Sequence, residues 1–406
     1  VPRSRRQVYR RRRILVFGAI VVVVAILIYL PLTLLARVPT TNAQDLGYTA
    51  PTTTKPVLTL PTYGDSAIAA VGYPGLLAAG GGTSPLPIAS ITKIITALVV
   101  LHKDPLGVNE QGPGILFTQS DEAIRESYRE RGGDVYPIKV GGSLTERQVL
   151  TIALVASANN YARALADWAF GSEAAFLPVA DAWLKANGMA STTLTDCIGL
   201  NPQNTSTPTD LITLGRLALA NPVVAQLVNT KSIAMPVVGT ITNTNTLLGV
   251  EGIDGIKTGT LTLASLLFTS RLDLGGHVIT LIGVVLDGPN HPTIDAAIQT
   301  LVAQARAGFH LVTVATKGQR FAKYTTRWGT RVNAVATRNV SLVVWGGTVV
   351  TQQTTIRPLT TGAKSRVVGL VSFVAGINRA TVPLQLDRRL AGPAGGWRLT
   401  HPGDLI

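Results

Sequence analysis

Residues 14–36 carry no charged side chain, and 20–28 is almost purely Val, Ile, Ala and Leu. A run of that length spans about 35 Å as a helix, enough for the hydrocarbon core of a bilayer. A buried core helix would show polar flanks and an amphipathic stripe, and this run has neither. Pro31 is expected to kink or end its last turn. Arg10–Arg13 stand on one side and only Arg37 on the other, which places the N-terminus in the cytoplasm and the rest of the chain outside. A cleaved signal peptide is the alternative, with Thr41-Asn42-Ala43 as a small-residue cleavage site and a secreted form as the product. The run is long for a signal peptide, so a single-pass anchor is the reading taken.

The net charge of +14 divides unevenly along the chain. Residues 1–13 hold seven arginines and no acid, 14–310 hold 16 basic against 20 acidic, and 311–406 hold 13 basic against 2 acidic. The basic charge sits in a short tail and a terminal domain, which makes nucleic acid a poor choice of partner. With 46% apolar and 14% charged residues the chain can fill a sizeable core and is not a disordered chain. The single Cys197 excludes a disulfide scaffold or Cys-rich zinc module, and five scattered histidines disfavour a His-built metal site. No metal or cofactor is expected.

Five segments follow from the composition: a cytoplasmic basic tail (1–13), the transmembrane helix (14–36), a Thr/Pro-rich extended spacer (37–62), a main domain (63–310) and a basic C-terminal domain (311–406). In the main domain, 67–71 and 76–79 read as a hairpin around Gly72-Tyr73-Pro74-Gly75. Helices are expected over 91–101, 146–155, 161–170, 174–186 and 210–220, the last capped by the hydroxyls of Thr207 or Thr209. Strands at 263–272 and 277–286 flank the turn 273–276, and 294–309 is a closing helix. A sheet built from both ends of the domain around an inserted helical block is an α+β fold. Beyond 312, short runs at 332–336, 341–344, 348–354, 366–373 and 380–386 read as a small all-β domain.

Three short motifs offer chemistry. Ser90-Ile91-Thr92-Lys93 opens the first helix, where one turn puts Ser90 and Lys93 on the same face. A serine hydroxyl needs a base to become a nucleophile, and lysine can serve if burial and a neighbouring cation lower its pKa. Taken alone, a capping serine and a surface lysine explain this spacing equally well. Ser157-Ala158-Asn159, between two helices, could orient a substrate and shuttle a proton, or simply cap the next helix. Lys257-Thr258-Gly259 pairs a cation and a hydroxyl with a glycine that would let an anionic ligand lie close to a strand edge; a plain turn is the bland alternative.

Each motif occurs once, and in this order. Together they resemble the constellation of the penicillin-recognising serine hydrolases. The stretch 86–98 is similar to the nucleophile segment of the D-alanyl-D-alanine carboxypeptidases, as are 199–204 with Ser206, Thr207 and Asp210, and 243–248 followed by 254–259. The resemblance covers roughly 62–310 and implies a β-lactamase/DD-peptidase-like domain. It implies Ser90 as nucleophile, Lys93 as base, and Ser157 and Asn159 as proton relay and substrate holder. The N–H groups of Ser90 and Thr260 would form the oxyanion hole. The implied partners are peptidoglycan stem peptides and, as covalent inhibitors, β-lactam antibiotics.

The chain also departs from the family's pattern. Some members carry an arginine where Thr244 stands, near the peptide's terminal carboxylate, so carboxylate capture falls to Lys257, Thr258 and Thr260. The segment 107–142 is long, and its charged part looks like a surface helix outside the shared pattern. A β-lactamase is the nearest rival, but only Glu173 and Glu251 lie between the second and third motifs to activate a deacylating water. A non-catalytic wall-binding protein is the alternative from another class. Residues 311–406, with their one-signed charge, are expected to meet anionic wall polymers or lipid headgroups.

Overall fold

The uncharged run forms most of one long helix, α1 (Arg5–Leu34), with its side chains exposed almost throughout. Pro31 sits inside it without ending it, because the Leu35 N–H returns to the Pro31 carbonyl at 3.0 Å. The helix is long and apolar enough to cross a membrane. The computed structural model describes residues 5–405, in two units. One holds the chain up to Thr53 with 311–344 and 348 onward; the other holds 54–310 with 345–347.

The stretch after α1, expected as an extended spacer over 37–62, is partly built into a sheet. Strand β1 (Ala43–Asp45) pairs antiparallel with residues 322–324, and Thr41 exchanges both backbone hydrogen bonds with Leu359. The Tyr48 ring then packs 5.2 Å from the Phe373 ring. The first half of the stretch therefore belongs to the C-terminal β unit. A three-residue edge strand leaves no period to read.

The larger unit carries the motifs. It runs through β2 (Asp65–Ala70), β3 (Ala78–Gly80), α2 (Thr92–Lys103), α3 (Gln119–Glu130), α4 (Glu146–Val155), α5 (Asn159–Phe170), α6 (Glu173–Ala186), α7 (Pro208–Ala220) and α8 (Pro222–Val228). It closes with β4 (Ile253–Thr260), β5 (Ala264–Leu274), β6 (His277–Gly288) and α9 (His291–Gly308). The sheet is five-stranded and antiparallel in the order β4-β5-β6-β2-β3. Its strands come from both ends of the unit, with the helices inserted between β3 and β4. Ile256, Leu267, Ile282 and Val284 join the helical core, where Gly215 lets α7 lie close against the sheet; a Cβ there would come 2.5 Å from Ile282. Alternate residues of the same strands, such as Leu266, Phe268 and Val285, are buried outside that cluster, as strand geometry requires. Thr207 caps α7 as read from sequence, its hydroxyl accepting the Asp210 N–H.

The third motif, expected at a strand edge just before the strand from Leu263, lies on a strand of its own, β4, paired through Thr258↔Leu266 with β5; the plain-turn alternative falls.

The β unit holds β7 (Phe309–Ala315) from Leu311 onward, β8 (Arg320–Thr325), β9 (Arg331–Ala336), β10 (Val340–Trp345) up to Val344, β11 (Val350–Ile356), β12 (Val367–Ala375), β13 (Asn378–Leu386) and α10 (Gly395–Thr400). Six strands form one sheet in the order β1-β8-β9-β13-β12-β11. Phe321, Tyr324, Val371, Phe373 and Leu384 fill its core. Within this unit, α10 rests on the end of α1: Tyr29 donates to the Leu399 carbonyl at 2.6 Å, and Arg398 donates to the carbonyls of Leu34 and Ala36.

Candidate active site

Ser90 is the middle residue of a short 3-10 turn, Ala89–Ile91, that leads into α2. Ala89 takes a φ of +45°, a conformation that costs a residue with a Cβ about 1 kcal/mol. Two glycines make room for this turn. A Cβ on Gly199 would come within 1.8 Å of the Ala89 carbonyl oxygen, and one on Gly259 within 2.8 Å of the Ile88 carbonyl oxygen. The glycine of the third motif is thus explained by the close approach of β4 to the serine turn.

Lys93 is 1% exposed. Its Nζ donates to Ser90 Oγ at 2.6 Å and to the Ile198 carbonyl at 2.8 Å. Burial pushes its pKa down to about 8, against the fields of Asp134, Asp196 and Cys197. The surface-lysine alternative therefore fails, and the hydroxyl and amine are placed for proton transfer.

The Ile198 carbonyl is held by its own loop. The Asp196 carboxylate accepts the N–H groups of Ile198 (2.9 Å), Gly199 (2.5 Å) and Asn201 (2.7 Å). Asn204, fully buried, accepts from the Thr195 and Asp196 N–H groups and donates to Thr92 Oγ1 at 3.1 Å. Cys197 is buried between these residues with its thiol pKa pushed well up by burial.

Ser157 is buried at the junction of α4 and α5 with a φ of +59°. It is not the cap of the following helix: that position is Ala158, which has no side-chain cap. The bland alternative for this serine falls with that observation. Asn159 opens α5, and its N–H donates to the Asp134 carbonyl at 2.8 Å.

Lys257 is 1% exposed, and its Nζ lies 3.4 Å from Thr244 Oγ1 and 3.3 Å from the Thr258 carbonyl. Burial holds its pKa well below the usual lysine range, the Lys93 charge lowers it further, and Asp134 opposes both. Thr244 Oγ1 and Thr258 Oγ1 share a hydrogen bond of 2.5 Å, so the position where some family members carry arginine serves here to fix the motif threonine. Thr260 ends β4 exposed, with Oγ1 2.8 Å from His291 Nε2.

The first and third motifs are thus brought together, with Asn159 joined to them through Asp134. Sequence reasoning missed Asp134, Asp196 and His291, and singled out Asn204 only as part of the family-like run 199–204. Asp134 matters most, since its charge acts on both lysines and its carbonyl holds Asn159. It lies in the segment 107–142, which looks extraneous in sequence but sends Gly133-Asp134 into the site; a Cβ on Gly133 would stand 2.5 Å from Asn159 Nδ2. Both glutamates that could serve a β-lactamase are engaged elsewhere. Glu173 accepts from the Cys197 N–H and Arg163, and Glu251 pairs with Arg306 at the surface. Among the described residues no group of three or more His, Cys, Asp or Glu is placed to hold a metal ion.

A serine beside a buried lysine at a helix start, facing a strand that carries a second buried lysine, defines a site suited to acyl transfer. The chain belongs to the D-alanyl-D-alanine carboxypeptidase family, whose sequence profile matches residues 74–290, more than half of the 406. A D-alanyl-D-alanine endopeptidase of Pseudomonas aeruginosa is 37% identical over 123 residues, which are 30% of this chain and 36% of that protein. The matched stretch thus spans about a third of this curated relative. Among solved structures, penicillin binding protein 6B of Escherichia coli superposes with a TM-score of 0.60 at 19% identity, over 83% of this chain and 99% of that one. A peptidoglycan synthesis regulatory factor (PBP3) of Streptococcus pneumoniae superposes with a TM-score of 0.57 at 23% identity, over 82% and 99%. These likenesses establish the fold: a mixed DD-peptidase-type unit followed by an all-β unit.

Proposed function

We propose that the protein is a membrane-anchored serine D-Ala-D-Ala carboxypeptidase that trims peptidoglycan stem peptides outside the membrane. The observation that carries this reading is the 2.6 Å contact between Ser90 Oγ and a buried Lys93 whose pKa is lowered to about 8. At pH 7 about a tenth of such amines are neutral and able to take a proton. Ser90 gives its proton to that amine as Oγ bonds to the carbonyl carbon of the D-Ala-D-Ala bond. The N–H groups of Ser90 and Thr260 hold the oxyanion, as the family resemblance implies. The C–N bond then breaks, and the leaving amine of the terminal D-alanine takes up a proton passed through Ser157. Asn159 holds the peptide, Lys257 and Thr258 receive its terminal carboxylate, and Gly259 lets β4, along which the peptide lies, come close to the serine turn. Water finally hydrolyses the ester.

The apolar helix α1 and the arginines at its N-terminal end support an anchor with a cytoplasmic N-terminus. The engaged glutamates support slow deacylation, so a fluorescent penicillin should leave a long-lived adduct on Ser90, whereas rapid loss of label would favour a β-lactamase. Incubating the protein with purified pentapeptide muropeptides should remove the mass of one D-alanine, and Ser90→Ala should abolish it. Wild-type release rates from Ser90→Ala would overturn the assignment. The name of the Pseudomonas aeruginosa relative favours a second reading, in which the same acyl-enzyme forms on a crosslink and the leaving amine belongs to a second stem. Conversion of crosslinked dimers to monomers, with pentapeptides untouched, would select that reading.

A further inference from the structure

His291 opens α9 behind the Asn290 cap and is partly buried. Its Nε2 lies 2.8 Å from the hydroxyl of Thr260, so a single proton bridges the two atoms. Which atom owns that proton decides what Thr260 can do. If Nε2 is bare, the hydroxyl must donate to it and only lone pairs remain for the cleft. If Nε2 carries hydrogen, the imidazole donates and the Thr260 O–H is free to donate elsewhere.

The surroundings favour an anion at that hydroxyl. Thr260 follows Lys257 by three residues on β4, and the buried Lys257 amine, next to Thr244 and Thr258, lies near enough for its charge to act on His291. Two charges act on His291. Asp295, one turn further along α9 and itself accepting from Thr246 at 2.7 Å, favours the imidazolium; Lys257, from β4, disfavours it. Burial, the largest influence, also lowers the pKa of His291.

We propose that His291 is a positioning residue for the carboxylate end of the cleft: by donating from Nε2 to Thr260 it turns that hydroxyl into a donor for the free C-terminal carboxylate of the stem peptide. The assignment rests on the DD-peptidase reading above and adds a proton linkage to it. A bound carboxylate offsets the field of Lys257 and stabilises the imidazolium, so the bound complex holds its proton to higher pH than the empty cleft. Affinity for the carboxylate therefore strengthens as pH falls through the titration of the bound complex and levels off once the empty protein is itself protonated. The chemical step moves the other way, because Lys93 must lose its proton. KM and kcat thus separate on the pH axis.

The test uses full-length Ser90→Ala protein, which can bind without turnover, a peptide ending in D-Ala-D-Ala, and the same peptide as its C-terminal amide. Calorimetry should show a preference for the carboxylate that is larger at about pH 6 than at about pH 8. Adding His291→Ala should reduce that preference by about tenfold, the size expected for a hydrogen bond to a charged group. His291→Gln, whose amide N–H can still donate, should keep most of the preference and lose its pH dependence. The imidazole NMR titration of His291 should shift upward with the carboxylate peptide and not with the amide. A preference untouched by His291→Ala, or one that His291→Gln fails to restore in a folded protein, would overturn the assignment. Turnover by the Ser90 protein is measured separately. Turnover with a preference indifferent to His291 sinks this inference alone, and carboxylate preference without turnover sinks the DD-peptidase reading alone. Should Ser90→Ala bind neither peptide, both fall.

Discussion

Two fully buried lysines share one site, and this sets function against stability at the residue scale. Lys93 titrates at about 8 where an unconstrained lysine titrates at 10.5. Between those values the unfolded chain holds a proton that the folded chain has released, so stability rises with pH across that window. Below about pH 8 the buried cation lowers stability by about 3 kcal/mol relative to an unshifted lysine. Replacing it with an apolar side chain of similar length should relieve that cost. Lys93→Met is expected to raise the melting temperature near pH 7, by about 1–3 kcal/mol of stability, while acylation by penicillin disappears. A lower melting temperature would show that the bonds to Ser90 and Ile198 outweigh the desolvation. For the wild type the same pKa predicts acylation rates that climb with pH and level off above about 8, since only the neutral amine accepts the Ser90 proton. Cys197, one residue from the carbonyl that holds Lys93, is structural on this reading. Its thiol contributes packing, and Cys197→Ser should keep acylation near wild type; loss of labelling with the fold intact would contradict this.

The serine turn is held open by elements that approach it from far along the chain. Gly199 has a φ of +83° and no space for a Cβ against Ala89, whose own φ of +45° puts Ser90 over Lys93. Gly199→Ala must therefore move the turn or the Asp196 loop. We expect a stability loss of about 2–4 kcal/mol and a fall in acylation of at least about a hundredfold. Calorimetry and stopped-flow labelling would measure the two; an unchanged labelling rate would mean that the turn does not depend on this contact. The same geometry explains what was legible in the sequence. Ser90 and Lys93 are readable because they lie one helical turn apart and are followed, in order, by the two other motifs of the family's pattern, and the helices around them announce themselves by composition and capping residues. Asp134 and Asp196 are not readable in this way. Each acts on Lys93 from another segment, and only the tertiary fold makes that contact. The extent of β4 was not readable, although its motif pointed to a strand, because its buried lysine and two glycines break the alternation by which strands are recognised.

At the scale of the molecule, the chain's charge and its N-terminal segment belong to the same unit. Residues 311–406 hold 13 basic side chains against two acids, and both acids are engaged, Asp387 with Asn333 and Arg388, Asp404 with Arg327. Arg320, Arg331, Lys364, Arg366, Arg379, Arg388 and Arg389 are exposed. This much was visible in the sequence as a charge imbalance. What was not visible is that β1 pairs with β8 and that α10 holds the end of α1, so the basic unit is fastened directly to the apolar helix. If α1 spans the membrane, only residues 35–42 separate its end from the sheet, and the basic surface is kept close to the bilayer or the wall polymers next to it. Attraction between exposed charges is screened over about 8–10 Å at physiological salt, so binding that rests on it must be salt-sensitive. The ectodomain should sediment with isolated, anionic cell walls at low salt and be released at high salt. Changing Arg320, Arg331, Arg388 and Arg389 together to Gln removes four charges without touching the core of the sheet, because all four are exposed. The variant should lose most of its wall retention at low salt while hydrolysing a small D-Ala-D-Ala peptide at the wild-type rate. Retention that survives both high salt and these substitutions would show that something other than charge holds the protein to the wall.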